Sequence, residues 1–579
     1  MYEKLPLNED YATAGHEIPH PQSSWSRRLV AVTLAAILLL SSPWSPSLPK
    51  LTPQPHHCDR LTRYAGENIS WEKVGEIEGR RLEQSRILVP MDQFNATNSG
   101  DKTFNISLIR LRGKDGSPNL LLNPGGPGGS GAEFVYRRGK QLSEIVGDDY
   151  HLLSFDPRGI NGSTPLATCY PTKEAGRELS YVRDLELIHD SPETYAWTQT
   201  YVRACADTMD EHGAYINTVQ TAADMNSILN AVGQEKMAYW GFSYGTVLGQ
   251  TYASLFPNRS HRVIIDGVVN NFVWYGDYYD AESFTNTEDV LEGFFDECIK
   301  AGKNCSLSSH ASSKEELHHV VFDLLADLKE QPLSVYVNNS NYGLLTYGNL
   351  LYDGIFPSLY KPASWYSLAD NIAKLLSGNA TDAWLAYGKN GGFGLEGDAN
   401  RFVTVNDGLS GAAAGWPQDR ETLLEQIIPL ANKSLFSPTE NGEYYVRQQW
   451  TLPRTHNFTQ KSGIETSHPL LVLSTSYDPI CPLISAKTAY HAFDGAGLVE
   501  VKGYGHCSVA VTSNCLAKHV RSFLYNGTVP KGHVTCDVDG PYFIKPEEDG
   551  KVVAQTYFED PEDRKIHLAQ MEMARDWQW

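Results

Sequence analysis

Hydrophobic residues in the chain fall into short apolar runs, and helically spaced segments lie between the later runs. Apolar runs of this length are typical of buried β-strands. Predicted strands cover residues 85–89, 104–111, 119–123, 151–155, 237–240 and 263–265. Residues 218–232 place apolar side chains near one helical face and stop at Gly233, as a helix C-terminus does. This alternation predicts an α/β fold with a mostly parallel central sheet, covered on both faces.

The alternation of strands and helices stops between residues 268 and 468. Aromatic and polar loop-rich stretches such as 274–279 and 391–394 replace it, and strand patterns return at 469–473 and 498–501. A pattern interrupted in this way predicts one α/β domain that carries a large lid-like insertion.

The N-terminus carries a targeting pattern. A polar tail ends at Arg27-Arg28, an uninterrupted apolar run covers residues 29–40, and a Pro-rich stretch follows to about Pro55. The run is shorter than the about 20 residues of a membrane helix and matches the apolar core of a signal peptide. The long tail and the lack of a small-x-small cleavage site favour an uncleaved signal anchor. The arginines would keep the tail in the cytosol and place the rest in the lumen or outside the cell. Cleavage would give a secreted protein instead.

Glycosylation sequons support a secretory compartment. The chain has eleven Asn-x-Ser/Thr sequons, all after the apolar run, where composition predicts roughly 4. Their asparagines are Asn68, Asn95, Asn105, Asn161, Asn258, Asn304, Asn338, Asn379, Asn432, Asn457 and Asn526.

All nine cysteines also follow the apolar run, as expected for disulfides that form in an oxidising lumen. Candidate pairs are Cys298 with Cys305, Cys515 with Cys536, and Cys169 with Cys205, and the odd thiol is assigned to Cys58. The sequence leaves the connectivity open. The chain has no Cys-x-x-Cys and no clustered-histidine pattern, so we predict no metal site and no cofactor.

The charge of the chain bears on its partners. The formal net charge is -21 and the pI is about 5.3. Because no basic surface is left over to neutralise phosphates, the composition excludes nucleic acid as a partner.

One motif supplies candidate chemistry. Gly241-Phe242-Ser243-Tyr244-Gly245 lies between the predicted strand at 237–240 and a predicted helix at 246–256, which Pro257 ends. A Gly-x-Ser-x-Gly between strand and helix is the sharp turn on which an α/β-hydrolase exposes its nucleophile. The glycines leave room for the strained backbone of Ser243. Ser243 is therefore the predicted nucleophile, and an ordinary glycine-rich turn is the alternative.

A serine nucleophile needs a histidine base that is held by a carboxylate. In this fold the acid and then the base follow the nucleophile along the chain, on loops after late strands. Asp478 follows the strand pattern at 469–473, and His506 follows that at 498–501. We predict Asp478 as the acid and His506 as the base. The alternatives are an aspartate that only caps its turn and a solvated loop histidine.

The tetrahedral intermediate of acyl transfer also needs two amide donors. One is predicted to be the backbone N–H of Tyr244. The other is predicted in the loop Pro124-Gly125-Gly126-Pro127-Gly128-Gly129, where Gly126 is the first choice and Gly125 the second. A phosphate-binding loop is excluded because no Lys-Ser/Thr follows the glycines.

Two further features of the sequence have structural interpretations: a charged segment after the strand at 151–155, and two cysteines near the proposed acid and base. Asp156 and Arg158, after the strand at 151–155, are interpreted as structural pairing that holds the loops. Cys481 lies three residues after the proposed acid and Cys507 directly follows the proposed base. A disulfide between them would tie the two loops together if their Cα atoms came within about 7 Å.

These motifs together resemble the secreted tripeptidyl and prolyl aminopeptidase-like branch of the α/β-hydrolases. The resemblance covers residues 85–270 and 465–540 and is carried by Asn123-Pro124-Gly125-Gly126-Pro127-Gly128, Asp156-Pro157-Arg158-Gly159, Thr221-Ala222-Ala223-Asp224, Gly241 to Thr246, Ile265-Asp266-Gly267-Val268, Asp478-Pro479, Gly505-His506 and the Cys515–Cys536 segment. It implies a serine peptidase that removes short peptides or single residues from free N-termini without a metal. It also implies that lid carboxylates hold the substrate amine, with candidates Asp277, Asp280, Glu282, Glu288 and Asp289.

Two other functions fit the same sequence. An esterase or lactonase for a small molecule, such as a natural product, would use the same triad on an easier leaving group. A membrane-anchored binding protein without activity is the alternative of another class. The predicted partners are therefore a peptide or small ester substrate and, through the N-terminal segment, a membrane.

The predicted organisation follows from these assignments. In chain order it comprises a cytoplasmic tail (1–28), a signal anchor or signal peptide (29–45), a stalk and N-terminal segment (46–84), the first part of the α/β-hydrolase domain (85–267), the lid insertion (268–468), the second part with acid and histidine (469–545), and a C-terminal extension (546–579).

Overall fold

The fold was analysed in a computed structural model, which describes residues 61–180, 187–278, 282–388, 396–545 and 558–576. The predictions for the N-terminal tail, the apolar run and Cys58 lie outside these residues. No helix within the described ranges is both long and apolar enough to cross a membrane.

A ten-stranded sheet forms the centre of the fold, and a two-stranded hairpin lies apart from it. The strands are β1 (Glu72–Ile77), β2 (Arg80–Pro90), β3 (Thr103–Leu111), β4 (Asn119–Asn123), β5 (His151–Phe155), β6 (Met237–Phe242), β7 (Ser260–Asp266), β8 (Leu333–Asn338), β9 (Asn341–Leu345), β10 (Leu471–Tyr477), β11 (Gly497–Tyr504) and β12 (His533–Asp537).

The strand order of the central sheet is β1-β2-β3-β5-β4-β6-β7-β10-β11-β12. Strands β1, β2, β3 and β5 pair antiparallel, and the pairs from β5 through β12 are parallel. This confirms the mostly parallel α/β sheet. The parallel strands β4, β5 and β6 are buried along their whole length because helices cover both faces.

The helices surround the sheet and build the segment between β7 and β10. They are α1 (Ala96–Ser99), α2 (Gly131–Val146), α3 (Lys173–Leu179), α4 (Ser191–Gly213, kinked at Asp210), α5 (Thr218–Ala231), α6 (Tyr244–Leu255), α7 (Asn271–Gly276), α8 (Thr287–Ala301), α9 (Lys314–Glu330), α10 (Phe356–Tyr360), α11 (Trp365–Leu376), α12 (Thr381–Tyr387), α13 (Glu396–Asp407), α14 (Arg420–Ala431), α15 (Asn441–Gln449), α16 (Leu483–Ala492), α17 (Asn514–Asn526) and α18 (Pro561–Asp576).

Two hydrophobic cores lie on opposite faces of the sheet. Helices α5, α6 and α16 contribute to one core. Helices α2, α17 and α18 contribute to the other. The segment between β7 and β10 has a core of its own, which includes Phe294 and Trp365. We call this segment the cover. Residues of its helices α13 and α15, such as Phe402 and Val446, also pack into the first core, so the cover is joined to the sheet as well as packed on itself.

The helix α18 was missed by the sequence analysis. It belongs to the acidic C-terminal extension, yet Ile566, Ala569 and Met573 are buried in the core that α2 shares. These residues follow each other at intervals of three and four, which is the spacing of a one-sided helix. The extension thus covers one face of the sheet.

Three disulfides join the predicted cysteine pairs. They link Cys169 to Cys205, Cys298 to Cys305 and Cys515 to Cys536. All three predicted pairs are confirmed, and disulfides of this kind are typical of proteins outside the reducing cytosol.

Candidate active site

The turn between β6 and α6 holds Ser243 in a strained conformation. Its φ is 56° and its ψ is -125°, which L-residues adopt only where the surroundings impose it. A Cβ on Gly241 would lie 2.3 Å from the main-chain oxygen of Gly245. A Cβ on Gly245 would lie 2.8 Å from the main-chain oxygen of Asn123. The two glycines of the motif are therefore required by close packing.

Asp478 and His506 form a buried hydrogen-bonded pair. Asp478 follows the carboxyl end of β10, and His506 follows that of the neighbouring strand β11. His506 Nδ1 lies 2.9 Å from Asp478 Oδ1 and 3.0 Å from Oδ2. The carboxylate also accepts the backbone N–H groups of Ile480, Cys481 and Cys507. Asp478 thus caps its own turn and orients the histidine at the same time.

A residue of the cover fixes the other side of the histidine. Tyr360, at the end of α10, accepts the backbone N–H of His506 on its main-chain oxygen at 2.9 Å. Its ring stands edge-on to the imidazole with centroids 5.0 Å apart. Tyr360 also lines the cavity that Ser243 faces. No local motif marks this position, so the sequence did not predict it.

The two glycines proposed as amide donors differ in their contacts. The backbone N–H of Gly125 donates to Asn123 Oδ1 at 3.0 Å. Gly126 lines the same cavity as Ser243 and Tyr244. Tyr244 is the first residue of α6, where a backbone N–H has no intrahelical acceptor. The geometry therefore favours Gly126 over Gly125 as the partner of Tyr244.

A cavity of 940 Å³ lies in front of Ser243. Its lining includes four arginines and four acidic residues, namely Arg137, Arg138, Arg401, Arg447, Glu133, Asp277, Asp398 and Glu443. The volume is ample for a short peptide or a drug-sized ligand.

Only some of the expected lid carboxylates lie at this cavity. Asp277 lines it, whereas Glu282 accepts hydrogen bonds from Asn270 and Ser485. Glu288 accepts the backbone N–H of Leu435, and Asp289 accepts from Asn286. Asp280 lies outside the described residues. Glu443 also lines the cavity, from α15 far along the chain, and no sequence motif predicted it.

Comparison with known proteins agrees with the fold described above. A profile described as "alpha/beta hydrolase fold" matches residues 118–351, and one described as "TAP-like protein" matches residues 437–536. This chain has the α/β-hydrolase fold. The two matches cover both parts of the sheet that carry Ser243, Asp478 and His506.

Curated relatives agree with a serine hydrolase. Serine protease Hip1 of Mycobacterium tuberculosis is 26% identical over 448 residues, which cover 74% of this chain and 83% of the relative. Tripeptidyl aminopeptidase of Streptomyces lividans is 25% identical over 496 residues, with 82% and 87% covered. Carboxylesterase B of Mycobacterium tuberculosis is 24% identical over 440 residues, with 72% and 79% covered. This α/β-hydrolase is thus a serine hydrolase, consistent with the TAP-like family.

A buried polar network connects the nucleophile turn of the hydrolase to its cover. The Tyr244 hydroxyl forms a hydrogen bond with Thr218 Oγ1 at 2.5 Å. The Thr218 hydroxyl in turn donates to Asp407 Oδ2. Trp274 Nε1 donates to the same carboxylate oxygen at 2.9 Å. Burial raises the pKa of Asp407 to about 6. Because Asp407 ends α13, the cover is tied to the residue that follows Ser243.

The predicted disulfide between Cys481 and Cys507 is wrong. Both residues are buried thiols in this α/β-hydrolase. Cys507 Sγ lies 3.7 Å from His506 Nε2 and occupies the space beside Gly267, where a Cβ would come within 2.4 Å of the sulfur. The sulfur is directed into this space by the left-handed backbone of Cys507, whose φ is 63°. Burial also raises the pKa of the Cys507 thiol well above its ordinary value.

Asp156 and Arg158 hold loops of the hydrolase, but they do so through different partners. Asp156 Oδ1 accepts from Ser130 Oγ and from the backbone N–H of Ala132, and so caps α2. Arg158 forms a bidentate ion pair with Asp224, in which both side chains are fully buried. The structural interpretation is confirmed, although the two residues belong to separate interactions.

Proposed function

We propose that this α/β-hydrolase is a serine peptidase in which Ser243, His506 and Asp478 form the catalytic triad. The observation that carries the proposal is the buried Asp478–His506 pair at the same sheet edge as the strained serine. Ser243 Oγ attacks the scissile carbonyl carbon while His506 Nε2 takes the hydroxyl proton. Asp478 holds the imidazole through Nδ1–H and stabilises the imidazolium that forms.

The oxyanion that develops on the substrate would be stabilised by backbone amides. We assign the N–H groups of Tyr244 and Gly126, because both residues line the cavity beside Ser243. His506 then returns its proton to the leaving amine as the C–N bond breaks, which leaves an acyl-enzyme on Ser243. Water, deprotonated by His506, hydrolyses the ester and frees the serine.

A carboxylate in the cavity supports a peptidase that releases residues or short peptides from the free N-terminus of its substrate. The Glu443 side chain is 17% exposed, and its Oε1 is buried without a hydrogen-bond partner in the described part of the chain. The Nε atoms of Arg401 and Arg447 form ion pairs with its oxygens at 3.9 Å, a distance beyond hydrogen-bond reach. The carboxylate therefore keeps acceptor capacity, and a substrate ammonium group would satisfy it. The relative named tripeptidyl aminopeptidase points to the same substrate class.

Replacing Glu443 by glutamine tests this assignment. We expect kcat/KM for a tripeptidyl amide with a free N-terminus to fall by about 10²-fold, because a desolvated ammonium would lose its charged partner. Cleavage of the N-acetylated substrate should be slow in both proteins and should not change. Glu133→Gln is the matched control, since Glu133 also lines the cavity but is more than half exposed. Equal turnover of free and acetylated substrates by the wild type would contradict the aminopeptidase proposal.

An esterase is the second candidate, because one relative is named Carboxylesterase B. The same triad would cleave an ester, whose leaving alkoxide needs less assistance than an amine. Parallel assays of aminoacyl amides, tripeptidyl amides and simple esters distinguish the two functions. Ester turnover without amide cleavage would support the esterase and overturn the peptidase.

We also propose that the catalytic domain is a glycoprotein of the secretory route. Three disulfides and the exposure of the sequon asparagines support this, since ten of the eleven are exposed and Asn105 is half-buried in β3. Enzymatic removal of N-glycans should lower the apparent mass of the protein from a eukaryotic host. An unchanged mass would contradict the proposal.

The membrane attachment rests on the apolar run at residues 29–40 and the preceding arginines. We propose that this segment anchors the protein with the catalytic domain in the lumen or outside the cell. Retention in the membrane pellet after an alkaline carbonate wash is the expected result. Release into the soluble fraction would support the secreted alternative.

A further inference from the structure

Asp266 lies between the nucleophile turn and the loop that carries the histidine. It is the last residue of β7 and is fully buried. Its main-chain oxygen accepts the backbone N–H of Ser243 at 2.9 Å. Its side chain turns to Ser508, two residues after His506, and accepts the backbone N–H on Oδ1 at 2.7 Å and the hydroxyl on Oδ2 at 2.6 Å. One residue therefore contacts both halves of the site.

The packing around Asp266 leaves little freedom for the histidine loop. Trp240 Nε1 lies 3.3 Å from Asp266 Oδ2 and holds the carboxylate from the strand β6. Gly267, with φ 65°, makes room for Cys507, and its N–H donates to Leu473 in β10. Burial raises the pKa of Asp266 to about 6, and the two hydrogen bonds from Ser508 oppose this shift.

The other described contacts of this loop lead mainly to the acid loop and the cover. Asp478 binds His506 and Cys507 from the acid loop after β10. Thr475 Oγ1 donates to the main-chain oxygen of Gly505, and Tyr360 accepts from His506. These contacts fix the histidine relative to the acid and the cover. The Cys507 thiol also contacts the backbone of Ser243, which follows the strand β6 on the other side of β7. Asp266 adds to this link a carboxylate contact with both donors of Ser508.

We propose that Asp266 is a positioning residue that sets the His506 loop in register with Ser243. The proposal rests on the triad proposed above. Proton transfer needs the serine hydroxyl and the imidazole nitrogen within hydrogen-bond reach, and small misplacements of reacting groups cost up to about 10²-fold in rate. Asp266 supplies a link of this kind, because its backbone holds the serine turn and its carboxylate holds Ser508.

The experiment uses the full-length protein and compares Asp266→Asn and Ser508→Ala with the wild type. Asp266→Asn keeps the size of the side chain but replaces one acceptor oxygen by an NH₂ group. We expect kcat to fall roughly 10- to 100-fold with KM within about twofold. The rate of inactivation by a fluorophosphonate should fall by the same factor, since it reports how well the serine is activated. Ser508→Ala, which removes only the hydroxyl contact, should lower both rates about 3- to 10-fold.

The double variant distinguishes positioning from general destabilisation. If both side chains act through the same contact, Ser508→Ala should cause little further loss in the Asp266→Asn background. Asp190→Asn is the control, since Asp190 is a buried aspartate that does not line the cavity, and it should leave both rates unchanged. If Asp266→Asn does not fold, the Ser508→Ala rates decide.

Two results would overturn the positioning role. One is a folded Asp266→Asn protein with wild-type kcat and labelling rate, and the other is a Ser508→Ala protein with unchanged rates. A lower melting temperature with unchanged kcat per labelled site would likewise assign Asp266 a purely structural role. If the proposed triad itself were wrong, the wild-type protein would not be labelled on Ser243. This result is distinct from the two outcomes above.

Discussion

Replacing Ser243 by alanine is expected to lower kcat roughly 10⁴- to 10⁶-fold, on peptide and ester substrates alike. The loss is large because the hydroxyl forms the covalent intermediate, and no neighbouring group can take its place. Substrate binding should persist, since the cavity walls and Glu443 are unchanged. Steady-state kinetics with a tripeptidyl amide, together with calorimetric binding of that substrate, measures both effects.

Ser474→Ala is the matched control for the serine variant. Ser474 is fully buried in β10, and its hydroxyl donates to the main-chain oxygen of Thr475. Its loss should leave turnover close to that of the wild type. If the Ser243→Ala protein retained turnover within about tenfold of the wild type, Ser243 would not be the nucleophile and the triad would be wrong.

Replacing Asp478 by asparagine is expected to lower kcat about 10⁴-fold with little change in KM. The amide keeps the shape of the carboxylate but can turn its NH₂ group towards His506 Nδ1. It then stabilises the imidazole tautomer that carries its proton on Nε2, where it cannot accept the serine proton. The NH₂ group also replaces an oxygen that accepts a backbone N–H. The N–H of Cys507 loses its acceptor if the NH₂ group takes the place of Oδ2, and that of Cys481 loses its acceptor if it takes the place of Oδ1.

Non-additivity provides the check on the Asp478 prediction. Since Asp478 is proposed to act through His506, adding Asp478→Asn to a His506→Ala protein should cost little more than His506→Ala alone. Additive losses in kcat would mean that the two residues act independently, and the buried pair would then have only a structural role.

The nucleophile turn and the acid–base pair could be predicted because each is marked by its immediate neighbours. Ser243 has glycines two positions away on both sides, and Asp478 and His506 directly follow apolar strands. The strand order then brings the ends of β6, β10 and β11 to one edge of the sheet. Local sequence therefore determines this half of the site.

The walls of the cavity could not be predicted in the same way. Tyr360 and Glu443 line the cavity from two helices of the cover, and Asp407, in a third helix, reaches the nucleophile turn through Thr218. Only tertiary packing brings these residues to the site. Their local sequences resemble ordinary helix surfaces and turns. The lid carboxylates taken from the sequence mostly bind their own neighbours, as Glu288 binds the backbone of Leu435.

The side-chain directions in the loop after His506 could not be predicted from the sequence either. Proximity of two cysteines along the catalytic loops predicted a disulfide, but the backbone of Cys507 turns its sulfur towards His506 and Gly267. Side-chain direction depends on φ and ψ at that residue, and the spacing of the cysteines carries no information about either. The helix α18 could have been found, because its buried residues follow a one-sided helical pattern.

The most direct test of the proposed triad is mass-spectrometric mapping of a fluorophosphonate adduct on the full-length protein. We predict one adduct per chain on the peptide that contains Ser243, formed rapidly in the wild type and lost in the His506→Ala variant. An active protein whose adduct lies on another serine, or which forms no adduct, would contradict the assignment.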